Sequence, residues 1–270
     1  MIAPFDNRPV GVFDSGLGGL TVVAALRKML PDESILYLGD TARVPYGDKS
    51  PESILRFARQ DAAFLRSRGV KMIVIACNTV SAVALPQLRR DRMEEPLMGV
   101  IDSGVQAALA TGARRIAVIG TRATVNSDAY RRGIHAADRA IQVESIPCPL
   151  LVPLAEEGVV SGPITEAVLD LYLARLRENP PEALLLGCTH YPLLTGAIRA
   201  YFGEGTTVVD SAAACAAAVA AFLREHRMTA QPGNAALSGF FVTDLPTAFR
   251  CHAARFLGAE PERVERIILS

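Results

Sequence analysis

Short runs of aliphatic and β-branched residues alternate along the chain with longer stretches whose apolar positions recur at helical spacing. Such alternation predicts βα units on parallel sheets, because a buried strand needs a short apolar run and its crossover helix one apolar stripe. Val10 to Phe13 reads as a buried strand, Gly16 to Gly19 as a glycine loop, and Leu20 to Leu30 as a helix stopped by Pro31. Ile35 to Gly39 is the second strand, followed by a polar loop from Asp40 to Ser50 and a helix from Pro51 to Ser67. Met72 to Ala76 is the third strand and delivers Cys77 at its carboxyl end.

A second series opens near Pro96, with a strand at Leu97 to Ile101, a helix from Gly104, and a strand from Arg115 to Ile119 that ends in Gly120-Thr121. A helix around Ser127 to Arg139, a strand at Gln142 to Ile146, the turn Pro147 to Pro153 and a helix from Pro163 to Arg177 come next. Strand Ala183 to Leu186 reaches Gly187-Cys188, and a strand at Thr207 to Val209 closes the series. An alanine-rich helix from Ser211 to Glu225, a strand at Gly239 to Thr243 and a helix from Pro246 to Leu257 remain. Two helices and one strand are too few for an independent core, so this last stretch is expected to rejoin the first half. The chain also echoes itself. Asp14-Ser15-Gly16 recurs as Asp102-Ser103-Gly104, and Ile75-Ala76-Cys77-Asn78-Thr79 is answered by Leu186-Gly187-Cys188-Thr189-His190. The expected fold is α/β, two related α/β halves with mostly parallel sheets: 1–97 with 210–270, and 98–209.

Charge narrows the range of partners. Lys+Arg and Asp+Glu both number 28 and no basic block stands out, so the footprint of a nucleic-acid binder is missing. No apolar run approaches the roughly 18 residues that read as a membrane span, and MIAPFDNRPV lacks a basic stretch leading into an apolar one. A soluble, cytoplasmic protein is expected. Five cysteines, widely spaced and without a CxxC pair, argue against a disulfide framework. The four histidines form no HxxxH, and Cys188-Thr-His190 and Cys251-His252 lack further ligands at zinc spacing, so no metal is expected. Lysine occurs only at 28, 49 and 71, none of them at the carboxyl end of a strand, which disfavours a pyridoxal phosphate enzyme.

Ligands of open parallel sheets bind at the carboxyl ends of strands, and that places Cys77 and Cys188 under scrutiny. Most cysteines are buried small hydrophobes, and Cys148, Cys215 and Cys251 fit that description. Cys77 and Cys188 instead follow buried strands and are flanked by Asn78 and Thr79 or by Thr189 and His190, which can orient a thiol and a ligand. Gly16-Leu17-Gly18-Gly19, between a strand and a helix, reads either as an anion seat for a carboxylate or as a structural turn. It is not a nucleotide fingerprint, because Thr21 stands where the third glycine belongs. The long loop from Gly39 to Gly47, shaped by Pro45 and Gly47 around Tyr46, is placed to carry ligand contacts.

Four motifs, in this order and spread over essentially the whole chain, closely resemble those of the glutamate racemase family: Gly11-Val-Phe-Asp14-Ser15-Gly16-Leu-Gly18-Gly19-Leu, Gly39-Asp40-Thr-Ala-Arg-Val-Pro45-Tyr46-Gly47, Ala76-Cys77-Asn78-Thr79, and Leu186-Gly187-Cys188-Thr189-His190-Tyr191-Pro192. The resemblance implies a racemase that needs no cofactor, supplies D-glutamate for bacterial peptidoglycan, and has its site in the cleft between two halves. It places the catalytic thiols at Cys77, acting on the D-enantiomer, and Cys188, acting on the L-enantiomer. It places substrate contacts at Asp14, Ser15, Pro45, Tyr46, Gly47, Asn78, Thr79, Thr121, Thr189 and His190. Asp14, His190 and a carboxylate near the second cysteine, Glu156 or its neighbour Glu157, would tune the thiols. The partners expected are the small-molecule substrate, L- or D-glutamate, and a second copy of the chain in a dimer.

Chemistry agrees with that placement. Inverting a stereocentre removes a proton from one face and returns one to the other, so two acid/base groups must flank one carbon. One thiol must start deprotonated and the other protonated, and the carbanion needs preorganised donors at the α-carboxylate. Two other readings stay open: a racemase of another acidic amino acid such as aspartate, and a non-catalytic carboxylate-binding protein.

Overall fold

The computed structural model describes residues 5–244, 249–261 and 263–269. The chain begins with β1 (Val10–Asp14), α1 (Leu20–Met29), β2 (Ile35–Gly39), α2 (Pro51–Ser67), β3 (Met72–Ile75), α3 (Asn78–Val83), α4 (Leu85–Arg90) and β4 (Leu97–Gly99). It continues through α5 (Val100–Ala110), β5 (Arg115–Gly120), α6 (Arg122–Asn126), α7 (Ala129–Ala137), β6 (Gln142–Pro147), α8 (Leu151–Glu157) and α9 (Pro163–Glu178). Next come β7 (Ala183–Gly187), α10 (Thr195–Phe202), β8 (Thr207–Asp210), α11 (Ser211–Glu225), β9 (Gly239–Val242), α12 (Phe249–Leu257) and β10 (Val264–Arg266). The strands form a six-stranded sheet, β10-β9-β2-β1-β3-β4, and a four-stranded sheet, β6-β5-β7-β8, with every described pairing parallel. β1, β3 and β7 are buried throughout, as continuous apolar strands covered on both faces must be. Among the described residues no helix is long and apolar enough to cross a membrane.

Several elements differ from the sequence reading. The strand expected over Leu97 to Ile101 stops at Gly99, because β4 pairs only three residues with β3, and α5 begins at Val100. Val100, Ile101, Gly104, Val105 and Ala108 are its buried positions, a helical spacing that the strand assignment cuts through. The Asp102-Ser103-Gly104 echo therefore lies inside a helix, with Asp102 ion-paired to Arg89 at the surface, and not in a strand-end loop. β4, an edge of the first sheet, ends at Gly99. The helix expected around Ser127 to Arg139 is α7, Ala129–Ala137, and a separate short helix, α6, precedes it, set apart by Asp128 at φ 57°, left-handed geometry that no helix carries through its interior. The short helices α3, α4 and α10 have no counterpart among the expected elements, and α8 starts inside the expected turn Pro147 to Pro153. The expected helix start at Pro246 and the side chain of Cys251 lie outside the described residues.

α11 packs on both α1 and α5, and its alanines let three backbones approach closely. Its buried residues Ala212, Cys215, Ala216, Val219 and Leu223 join the core over β1, β2 and β3. Cys215 is a fully buried small apolar side chain there, and Cys148 plays the same part in the core around β7.

Under that core runs a buried ion pair. Lys71, at the start of β3, gives its ammonium to Glu33 Oε2 (2.5 Å) and to the carbonyls of Asp6 (2.8 Å) and Met228 (2.7 Å), while Glu33 Oε1 accepts from the N–H of Ala230. All three ammonium donors are used. Removing one partner of such a pair leaves a buried charge uncompensated, at a cost of about 3–5 kcal/mol. Lys71→Met should lose roughly this much in urea denaturation, and adding Glu33→Gln should restore much of it.

Candidate active site

The loops that matter leave the carboxyl ends of adjacent strands. In the first sheet β2, β1 and β3 are neighbours, and in the second β6, β5 and β7. Their loops meet around a cavity of about 260 Å³, the scale of a small metabolite, at the strand ends where open α/β sheets hold ligands. Ser15 enters it from the end of β1, and Pro45, Tyr46 and Gly47 from the loop after β2. Cys77, Asn78 and Thr79 line it where β3 passes into α3, Cys77 being the residue that caps that helix. The second sheet contributes Thr121 after β5, Glu156 from α8, and Cys188, Thr189 and His190 after β7. Of the two carboxylates left open by the sequence, Glu156 lines the cavity and Glu157 does not.

The two thiols have unlike surroundings. Beside Cys188, His190 Nδ1 stands 3.8 Å from Sγ, and its Nε2 meets Glu156 Oε1 at 3.0 Å. Burial alone would lower the basicity of this imidazole, but its hydrogen bonds to Cys188 and Glu156 outweigh it and push His190 up to about 10. The same hydrogen bond, against the effect of burial, holds Glu156 below the ordinary carboxylate range. Cys188 thus faces an imidazolium backed by a carboxylate. Cys77 has Ser15 Oγ at 3.5 Å, and burial followed by the charge of Asp14 pushes its thiol up to about 12, so it carries its proton at neutral pH.

Asp14 does not line the cavity, in contrast to its expected role as a substrate contact. It is fully buried at the end of β1, where its carboxylate accepts from the N–H of Gly16 (2.9 Å), and burial raises it above the usual carboxylate range despite the pull of His190. The glycine loop also differs from an anion seat. The N–H groups of residues 20 to 23 go to the carbonyls of Leu17, Gly18 and Gly19. A Cβ on Gly18 would lie 2.2 Å from Thr189 Oγ1 and 2.5 Å from His190 Nδ1, and one on Gly19 would lie 2.4 Å from Asp14 Cβ. These glycines let the first half come up against the Cys188-Thr189-His190 loop. The phenol of Tyr46 turns from the cavity into a buried network, donating to Asp40, which also accepts from Arg43 Nε (2.5 Å) and Thr243 Oγ1 (2.8 Å).

Hydrogen bonds cross between the halves at the cavity's edge. Thr79 and Thr121 hydroxyls meet at 2.9 Å, and Thr21 Oγ1 donates to the carbonyl of Thr189 at 3.0 Å. Tyr130, on α7, donates to Asn78 Oδ1 at 2.6 Å, which fixes the amide orientation and leaves Nδ2 buried with no partner in the protein. A buried donor left without a partner is open to a hydrogen-bond acceptor entering the cavity. The sequence reading did not single out Arg122, which lines the mouth and faces Asp48 at 3.7 Å, nor Pro149, Val152 and Pro153, which form an apolar wall. No signal in one sequence separates such wall residues from ordinary loop residues; Arg122 was findable as the residue after Gly120-Thr121.

The sequence model of the Asp/Glu/hydantoin racemases matches residues 20–219. The chain belongs to that family. Within the Asp/Glu/hydantoin racemases, the glutamate racemase of Chlorobaculum parvum is 43% identical over 260 residues, 96% of each chain. The crystal structure of glutamate racemase from Francisella tularensis in complex with D-glutamate is similar at a TM-score of 0.90 and 41% identity, covering 97% of this chain and 98% of that one. The glutamate racemase of Thermus thermophilus in complex with beta-chloro-D-alanine is similar at 0.87 and 45% identity, covering 98% of both. These likenesses span both sheets, so the two-sheet α/β architecture is that of solved members of the family.

Two expectations follow from the geometry. Gly18→Ala should push apart the loop carrying Thr189 and His190, costing about 1–3 kcal/mol in denaturant unfolding and a far larger share of activity. The second concerns pH. His190 is bound more tightly to its proton in the folded chain (about 10) than unfolded (6.5). Its stabilising contribution is therefore complete below pH 6.5 and lost as pH rises to about 10. The stability advantage of the wild type over His190→Gln should shrink across that interval, as read by urea denaturation at each pH.

Proposed function

We propose that this chain interconverts L- and D-glutamate by a two-thiol proton transfer. The observation that carries the reading is the presence of Cys77 and Cys188, from opposite halves, in the wall of one metabolite-sized cavity, one thiol protonated and the other facing an imidazolium. Its closeness to glutamate racemases over nearly the full length supports glutamate as the substrate.

With L-glutamate bound, the Cys188 thiolate takes the α-proton and becomes a thiol. The electron pair left on the α-carbon spreads into the α-carboxylate, which needs donors that are already in place. Asn78 Nδ2 is such a donor, oriented from the other half by Tyr130, and the hydroxyls of Ser15 and Thr189 lie in the same wall. Cys77 then gives its proton to the opposite face and is left as thiolate. D-glutamate runs the steps in reverse. His190 and Glu156 stabilise the charge on Cys188, and Asp14 acts on Cys77 from behind Ser15 as a positioning group. Pro45, Tyr46, Gly47, Thr79 and Thr121 complete the enclosure and read side-chain length. The two sheets support the division into domains 1–97 with 210–270, and 98–209, with β4 running on to Gly99 and β8 to Asp210. A cytoplasmic enzyme that supplies D-glutamate for peptidoglycan, acting as a dimer, is the setting this activity implies.

The test is racemisation followed polarimetrically with L-glutamate and L-aspartate, no cofactor added. Optical rotation should decay with L-glutamate; decay with L-aspartate alone would assign the other acidic substrate, and binding without decay a carboxylate-binding protein. In deuterium oxide, early D-glutamate should carry α-deuterium while remaining L-glutamate keeps protium. Cys77→Ala and Cys188→Ala should each lower the rate by at least about 10²–10⁴-fold. Early product that retains the substrate's own proton would eliminate the two-base scheme.

A further inference from the structure

α12 has one face in each half. Ala253, Phe256 and Leu257 are buried in the core of the first sheet, and the helix packs along α1. From that anchorage two side chains reach the second half. Arg255 Nη1 donates to the backbone carbonyl of Glu156 at 2.7 Å. Its guanidinium lies over Gly158, the residue that ends α8 at φ 74°, so closely that a Cβ there would stand 2.9 Å from Arg255 Cζ. Phe256 sets its ring edge-on to His190, centroids 5.4 Å apart and planes at 85°. Adjacent residues of one helix thus touch both members of the pair that stands behind Cys188, and neither lines the cavity.

The carboxylate of Glu156 can meet His190 only if the last turn of α8 is held, and that turn has lost its intrahelical partners, as every helix end has. Arg255 supplies a charged donor to its carbonyl. The imidazole of His190 can present Nδ1 to Cys188 and Nε2 to Glu156 at once only in one ring plane, and the perpendicular ring of Phe256 packed against it hinders rotation out of it. We propose that Arg255 and Phe256 are positioning residues for proton transfer at Cys188, holding Glu156 and His190 in line with the thiol from the other half of the molecule. This rests on the two-thiol reading above.

Rates alone cannot test it. The enantiomers have equal free energy, so kcat/KM is the same in both directions for every variant. Isotope effects do separate the two proton transfers. Deuterium on the α-carbon is in flight at Cys188 when the substrate is L-glutamate and at Cys77 when it is D-glutamate. Slowing the Cys188 step makes that transition state more limiting for both. Arg255→Ala and Phe256→Leu should lower kcat/KM roughly tenfold to a hundredfold, the scale of misplacing a reacting group by about 1 Å. The primary isotope effect on kcat/KM should rise from α-deuterated L-glutamate and fall towards one from α-deuterated D-glutamate. Arg255→Lys, which keeps a charged donor, should lie nearer the wild type. As an independent measure, iodoacetamide labelling read by mass spectrometry should show the Cys188-to-Cys77 labelling ratio falling in both variants. A ratio that stays at the wild-type value, or isotope effects that shift in the opposite sense, would overturn the proposal. A wild-type protein that racemises neither amino acid would sink the two-thiol reading instead.

Discussion

The proposed proton transfer rests on one geometric requirement: two thiols carried by two separate sheets must face the same carbon from opposite sides. Nothing within either half can satisfy it. The distance between the thiols is set by how the halves abut, and the contacts that fix this are small and polar. Gly18 brings the first half against Thr189 and His190 with no room for a Cβ, Thr79 meets Thr121, and Thr21 reaches the carbonyl of Thr189. Around them lie α11, shared between α1 and α5, and α12, rooted in one core and touching the other half.

The two sides are alike in backbone and unlike in charge. Each cysteine sits just past a fully buried strand, followed by polar residues that begin a helical turn. One thiol has an imidazolium and carboxylate behind it, and the other has a serine and a buried aspartate. A two-step proton transfer needs this inequality, because at the start of each turnover one thiol must hold a proton that the other lacks. Backbone symmetry places the groups; in the proposed scheme the enantiomer bound decides which begins as base.

Much of this was legible in the sequence. The βα alternation marked β1, β2, β3, β5 and β7 to within a residue or two, and the Cys-polar-polar ends of β3 and β7 singled out Cys77 and Cys188 over three other cysteines. The echo at Asp102 misled, because a tripeptide carries no record of whether Gly104 ends a strand or packs inside a helix against Tyr130. Asp14, expected to touch the substrate, is buried behind the cavity wall, and of the glycine loop, open to reading as an anion seat or a turn, only Gly16 lies in that wall, which only three-dimensional crowding discloses. Contacts of long sequence separation were invisible for the same reason: Tyr130 with Asn78, and Arg255 with Glu156, are set by packing rather than by any local pattern.

The bond from Tyr130 to Asn78 bears on how this architecture can be inherited. The amide that offers its free donor belongs to one half, and the hydroxyl that decides which way the amide faces belongs to the other. Neither half is therefore a self-contained module, despite its own sheet and core. A chimera assembled from halves of two relatives would inherit a working site only if both members of each crossing pair came along together. Changing Tyr130 or Asn78 alone would leave the other without its partner, so the unit that works is the pair across the gap rather than the domain on either side of it.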